Sequence, residues 1–255
     1  MKKLTAFGAA LAAAVLSFSS FGGTLPVKFV EYVETAGNGT TGTQWLRLDY
    51  TPSSKATFEF EAALVKNKNL THNFFCARSG TKANTFTLFW LANKGLRWDY
   101  NATNGGKYNN SPDLKEKFSV RVNGGGFFYN DVKDANLSYS TTTFTAGGRL
   151  MLFASYETSD AAPTGNFAAI RLYSFKAMEG DRTICDLWPC VDETGVAGLY
   201  DTVSEKILYS MGTEDFAAGG KEVEGPLDQR TLPIPADTLR VHGWPFWVGT
   251  PDPAY

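Results

Sequence analysis

Histidine is nearly absent from this sequence: His72 and His242 are the whole supply. That excludes most histidine-based metal sites and leaves little for a histidine-relay hydrolase. Cysteine is scarce too. Cys76, Cys185 and Cys190 are alone, and none has the paired C-x-x-C spacing of a zinc site. There is no nucleophile elbow, no Walker glycine loop and no dinucleotide glycine fingerprint. Basic blocks are missing as well. The 24 basic and 26 acidic residues are interspersed to a net charge of -2, which argues against nucleic acid as a partner. Charged residues are few, at 20%, and aromatics many, at 14%, a balance that excludes a disordered chain. The 255 residues suffice for one or two domains with a core that needs neither disulfide nor metal.

The only long apolar run is at the start, and residues 1–22 read as a secretory signal. Lys2 and Lys3 form a positive head, Leu4 to Phe18 an alanine-rich apolar stretch, and Ser20 and Gly22 the small residues before cleavage at Gly23. The run is short for a membrane span, and no cysteine stands at the cleavage point to carry a lipid. The expected product is a soluble protein, secreted, periplasmic or on the cell surface. Loss of the two lysines leaves 22 basic against 26 acidic residues, a charge of -4. An exported chain tolerates disulfides. Cys185 and Cys190 are spaced to pair across a short loop or strand end, and the odd third cysteine leaves at least one thiol unpaired or shared with another chain. Cys76, within Phe74-Phe75-Cys76-Ala77, reads as a buried inert thiol.

From residue 23 to 217 the pattern is strand after strand. Between Ala56 and Val65, Phe58, Phe60, Ala62 and Leu64 share one face while Thr57, Glu59 and Glu61 share the other. Between Glu116 and Val122, Phe118, Val120 and Val122 alternate with Lys117, Ser119 and Arg121. Period two with branched and aromatic residues predicts half-buried strands. Arg149 to Ser155 and Phe167 to Met178 are apolar on both faces and belong in sheet centres. Glycine and asparagine clusters, among them Asn104-Gly105-Gly106 and Asn123-Gly124-Gly125-Gly126, mark the hairpins between. No amphipathic helix of more than three turns is visible. The predicted class is all-β, an antiparallel two-sheet sandwich. Residues 218–255 differ: six of the 11 prolines fall at or after Pro226. Leu232-Pro233-Ile234-Pro235 and Trp244-Pro245-Phe246-Trp247 cannot join a central ladder. This tail is either strapped over the sandwich by its aromatics or free to bind a protein partner.

Several stretches stand out: Val30-Glu31-Tyr32-Val33-Glu34-Thr35 with Thr43-Gln44-Trp45-Leu46, then Arg171-Leu172-Tyr173-Ser174-Phe175-Lys176 and Asp186-Leu187-Trp188-Pro189-Cys190. Gly195 to Asp201, Tyr209 and Gly212 to Phe216 complete the set, which covers roughly residues 28 to 216. Together they resemble bacterial laminin-G-like domains of the concanavalin A-like lectin/glucanase superfamily. The resemblance implies a jelly-roll sandwich with one concave and one convex sheet. Glucanases of that superfamily cleave with acids projecting from one strand in a pattern like E-x-D-x-x-E. The nearest match here is Glu59-Phe60-Glu61-Ala62-Ala63-Leu64, which lacks the third acid. Glu59 and Glu61 lie about 7 Å apart along a strand and read as solvated glutamates, so no catalytic residue is assigned. The same resemblance makes calcium the one candidate cofactor, through Asp160 and Asn166. Two ligands fall short of the roughly six to eight that calcium takes, so no metal site and no cofactor is expected.

Binding is what remains. Sugars are held by aromatic platforms and planar polar groups, and Arg97-Trp98-Asp99-Tyr100 with Tyr108-Asn109-Asn110 offers both. Alternation groups Trp98 and Tyr100 with Leu96 as core and turns Arg97 and Asp99 toward a groove or solvent, an exposed salt pair being the alternative. Arg97, Asp99 and Tyr108 are therefore the candidate binding residues, with Tyr129 to Asp131 a weaker second set. Asn38, Asn69, Asn101 and Asn136 match the glycan-acceptor sequon and read as turn asparagines. The expected function is an exported, noncatalytic module that binds carbohydrate or a surface glycoconjugate. The alternatives are a structural or adhesive surface protein without a sugar site, and a cryptic glycoside hydrolase.

Overall fold

A computed structural model describes residues 27–66, 69–78, 83–101, 107–108, 112–124, 126–135, 143–155 and 162–226. The expected signal, residues 1–22, and the proline-rich stretch after 226, His242 included, lie outside these residues. Among the described residues there are sixteen strands and no helix, so none is long and apolar enough to cross a membrane. In chain order the strands begin β1 (Val27–Glu34), β2 (Leu46–Arg47), β3 (Ala56–Leu64), β4 (His72–Ala77), β5 (Phe86–Leu91) and β6 (Gly95–Tyr100). Next come β7 (Lys107–Tyr108), β8 (Phe118–Asn123), β9 (Gly126–Tyr129), β10 (Val132–Lys133) and β11 (Met151–Leu152). The last five are β12 (Ile170–Glu179), β13 (Arg182–Asp192), β14 (Ala197–Asp201), β15 (Lys206–Leu208) and β16 (Ala217–Glu222).

They form two antiparallel sheets. The larger runs β10-β9-β8-β3-β12-β1-β13-β14-β15, with β16 also on β1, and the smaller runs β2-β11-β4-β5-β6-β7. Because β16 pairs with β1 through Glu222, the sheet continues past the expected end of the sandwich at 217. Alternation explains the layering. Phe58 and Phe60 of β3 turn inward while Glu59 and Glu61 turn outward, as the pattern predicts. Phe118, Val120 and Val122 of β8 do the same.

The inward residues of the two sheets meet as an aromatic web. The Phe58 ring lies 4.7 Å from Phe75, 5.7 Å from Phe86 and 6.5 Å from Trp98, and Phe60 stacks on Phe74 at 5.5 Å. Such rings bury the most apolar area per residue and favour tilted or edge-on pairs, the arrangement found here. The segment from Arg149 to Ser155 sits where expected, between β2 and β4, but only Met151 and Leu152 form ladder. Phe153 takes a left-handed φ of 70°, and the strand ends there.

The cysteines do not pair. All three are free and buried. Cys185 joins the main core, whereas Cys190 belongs to a cluster on the other face of the sheet, because an odd spacing along one strand sends the two side chains to opposite faces. Burial pushes both thiols up to about 12. Pro189 falls where β13 changes partner from β12 to β1. The residue without an amide donor thus sits at a handover between ladders.

Candidate functional site

The outward face of the larger sheet carries the polar half of the alternation from four neighbouring strands. Ser119 and Arg121 come from β8, Glu59 and Glu61 from β3, Ser174 and Lys176 from β12, Asp186 and Trp188 from β13. Register aligns them into rows. Glu59 lies between Arg121 and Lys176, and Lys176 faces Asp186, so Arg121, Glu59, Lys176 and Asp186 alternate in sign across the sheet. Glu61 lies between Ser119 and Ser174 in the next row. Cross-strand pairs of opposite charge stabilise such a face modestly. A groove of about 420 Å³ follows these rows, with Asp131 on its rim.

Several of these side chains are held by neighbours. Arg121 lies 3.7 Å over the Phe128 ring and 4.0 Å from Glu59. Lys117 bonds Glu61 at 2.7 Å and sits 4.8 Å over Tyr173. Half-buried Trp188 donates its Nε1 hydrogen to Asp186 at 3.1 Å, and the other oxygen of Asp186 accepts from Thr202 at 3.3 Å. A bulge in β12 between Leu172 and Ser174 inserts Tyr173 opposite β3. Bulges re-aim side chains in this way. Beside it, Tyr32 meets Tyr173 edge-on at 5.5 Å, and Arg171 lies 4.3 Å over Tyr32 while bonding Glu34 at 2.9 Å. That bond to Glu34 raises the Arg171 pKa above its ordinary value, and burial raises that of Tyr173.

The arrangement offers an indole platform surrounded by planar carboxylates, a guanidinium and hydroxyls. Glu59 and Glu61, the pair nearest the glucanase pattern, are 42% and 41% exposed, and each faces a cation. Ala63 and Leu64, where the glucanase pattern would continue, are fully buried. The groove does gather further acids that strand-by-strand reading missed. Asp186 arrives from two strands away, about 9.6 Å by strand spacing, and Asp131 from the turn after β9.

Arg97, Asp99 and Tyr108 belong to the smaller sheet, away from this groove. Trp98 and Tyr100 are core, as their spacing predicts. Arg97 bonds Asp99 at 2.8 Å, with side chains only 19% and 10% exposed, and its guanidinium lies 5.7 Å from the Phe89 ring. The pair is therefore mostly enclosed rather than open. Tyr108 pairs with Leu96 through the backbone, and its side chain lies outside the described residues. Tyr129 stacks on Phe118 of the core at 5.8 Å, so of the second candidate set Asp131 alone lines the groove.

His72 opens β4 fully buried, its Nδ1 accepting from the Ala169 amide at 3.3 Å. Asp160 lies outside the described residues, and Asn166 spends its amide on Ser155. Among the described residues no three acids, histidines or thiols gather as metal ligands. Asn38 accepts from the amides of Thr40 and Thr41, a turn role, and Asn101 takes a φ of 64°. Asn136 is outside the described residues. No family model, no curated protein and no solved structure matches this chain.

Proposed function

We propose that the chain is an exported, noncatalytic module that binds carbohydrate or a surface glycoconjugate. Its fold on this reading is a jelly-roll sandwich of the laminin-G-like kind, and its site is the groove on the larger sheet. The observation that carries the reading is Trp188. Its indole stands in the groove wall, fixed by a hydrogen bond to Asp186, amid hydroxyls and paired charges that can exchange their partners for sugar hydroxyls. Aromatic faces take the apolar side of a sugar ring, and oriented polar groups fix its rotation. The groove spans four strands, about 14 Å by strand spacing, room for an oligosaccharide rather than a single ring. A second reading, an adhesive protein without a sugar site, draws on the row of charges that already neutralise one another.

The test is a glycan array with the chain from Gly23 onward, followed by titration of any hit. Trp188→Ala should weaken binding by roughly tenfold, about 1.4 kcal/mol, while Arg97→Ala on the opposite sheet changes it little. Absence of binding at millimolar oligosaccharide favours the adhesive reading. Turnover of a β-glucan, abolished by Glu59→Gln or Glu61→Gln, would replace both with a hydrolase.

A further inference from the structure

Trp188 faces two ways. On one side it lines the groove, and on the other it packs against a small apolar cluster of Phe29, Cys190 and Tyr200. This cluster is separate from the main core. Leu187 and Leu199 point inward between the sheets, so alternation turns Trp188, Cys190 and Tyr200 to the outer face. An apolar group on an outer face is normally wet, yet Cys190, Tyr200 and Phe29 are 0%, 4% and 8% exposed.

The chain just after β16 helps to cover them. Val30 pairs with Glu222, the Val223 amide donates to the Phe29 carbonyl at 3.1 Å, and the Val223 side chain packs on the cluster. Gly225 then lies against the Phe29 ring so closely that a β-carbon there would stand 2.1 Å from Cδ2. The ring also makes an edge-on contact with Tyr200 at 5.8 Å.

We infer that Val223–Gly225 is a strap that positions Trp188: it closes the cluster on which the indole rests and so sets the wall of the groove. Resting on the reading of the groove as a binding site, the inference names Phe29, Val223 and Gly225 as positioning residues that touch no ligand. Any ligand that stacks on Trp188 also favours the seated strap, and a seated strap favours the ligand, because coupling between two sites is reciprocal.

The test reads Trp188 without any sugar. Acrylamide quenching and emission wavelength are measured on the full chain with and without Trp188→Phe, so that the difference isolates this indole. Gly225→Val should shift the Trp188 component to the red and increase its quenching. Adding Phe29→Leu, which makes room for the valine, should restore both, a rescue that general destabilisation does not produce. If Gly225→Val fails to fold, Gly225→Ala is read in its place and should move the signal the same way. An unchanged Trp188 component in a folded variant, or no rescue by Phe29→Leu, overturns the strap. A blank glycan array with a shifted Trp188 signal removes the sugar reading and leaves the strap standing.

Discussion

Asp192 organises the end of β13 with one side chain. Its Oδ1 accepts from the Thr194 amide and hydroxyl and from the Val196 amide, while its Oδ2 accepts from the Tyr209 hydroxyl at 2.7 Å. The Tyr209 bond first, then those from Thr194 and Val196, hold its carboxyl down at about 2. The same bond pushes Tyr209 up to about 12. The signs give two edges. For the depressed carboxyl, stabilisation is present above the ordinary value of 3.8 and is lost as pH falls through about 2. For the raised phenol, it is present below 10.0 and is lost as pH rises through about 12. Thermal midpoints of the wild type and Asp192→Asn, compared along a pH series, should converge at both edges and differ between them. A constant gap would show that the carboxylate contributes nothing through its charge. Single residues were also where the sequence was least legible. Trp188 sits in a strand whose alternation is readable, but its groove depends on Glu59, Lys176 and Arg121 from three other strands, and strand order is not written in any local pattern. Arg97 and Asp99 carried the right residue types in the right alternation. Their salt pair was one of the sequence's own alternatives, but only tertiary packing shows that it is covered rather than exposed.

At the scale of elements, the long strands were the most legible. β3 and β8 alternate with a period of two over most of their length, so both their faces can be read directly, while their ends differ from the expected Ala56–Val65 and Glu116–Val122 by one or two residues. β16 could not be read this way. Ala217-Ala218-Gly219-Gly220-Lys221-Glu222 has no alternation and almost no side chain to bury, and it is a strand because β1 offers it a backbone partner. Glycine is even needed there, since a β-carbon on Gly219 would stand 2.3 Å from the Tyr32 ring. The segment leading into β3 and the end of β12 are tied by a polar latch that no motif announces. Glu179 accepts from the Tyr50 hydroxyl and from the Ser53 hydroxyl and amide. Burial works to raise the Glu179 pKa, but the bonds from Ser53 and Tyr50 outweigh it and leave the carboxyl below its ordinary value. Burial first, then the bond to Glu179, pushes the Tyr50 phenol upward. Glu179→Ala leaves these donors without their acceptor and should cost about 1–3 kcal/mol. In a chain of this size that lowers the thermal midpoint by roughly 2–4 °C for each kcal/mol. A midpoint within a degree or so of wild type in calorimetry would mean that solvent satisfies the loop equally well.

For the whole molecule, composition argued that the core needs no staple, and the aromatic web is why. Phe58 touches rings from both sheets, and Phe75 reaches back to Phe175 of the larger sheet at 5.9 Å, so the layers interlock rather than merely stack. The thiols are dispersed, each free and buried in a different place. Cys76 is fully buried beside Met151, Ala154 and Phe167, Cys185 is in the main core, and Cys190 is under the outer cluster. The sequence allowed a Cys185–Cys190 bridge because it left open a loop or strand end between them; one continuous strand, β13, carries both and turns them to opposite faces. Thiolate is the reactive form, and burial keeps Cys185 and Cys190 protonated at neutral pH. Iodoacetamide should therefore leave the folded chain unmodified and label all three cysteines after denaturation, with or without prior reduction. If labelling of the denatured chain rises only after a reductant, a disulfide has formed and the strand carrying Cys185 and Cys190 is not the one described. If the folded chain labels quickly at Cys190, the outer cluster opens on the timescale of the reaction. The seating of Val223–Gly225 would then be the first place to look, because that segment closes the cluster over this thiol.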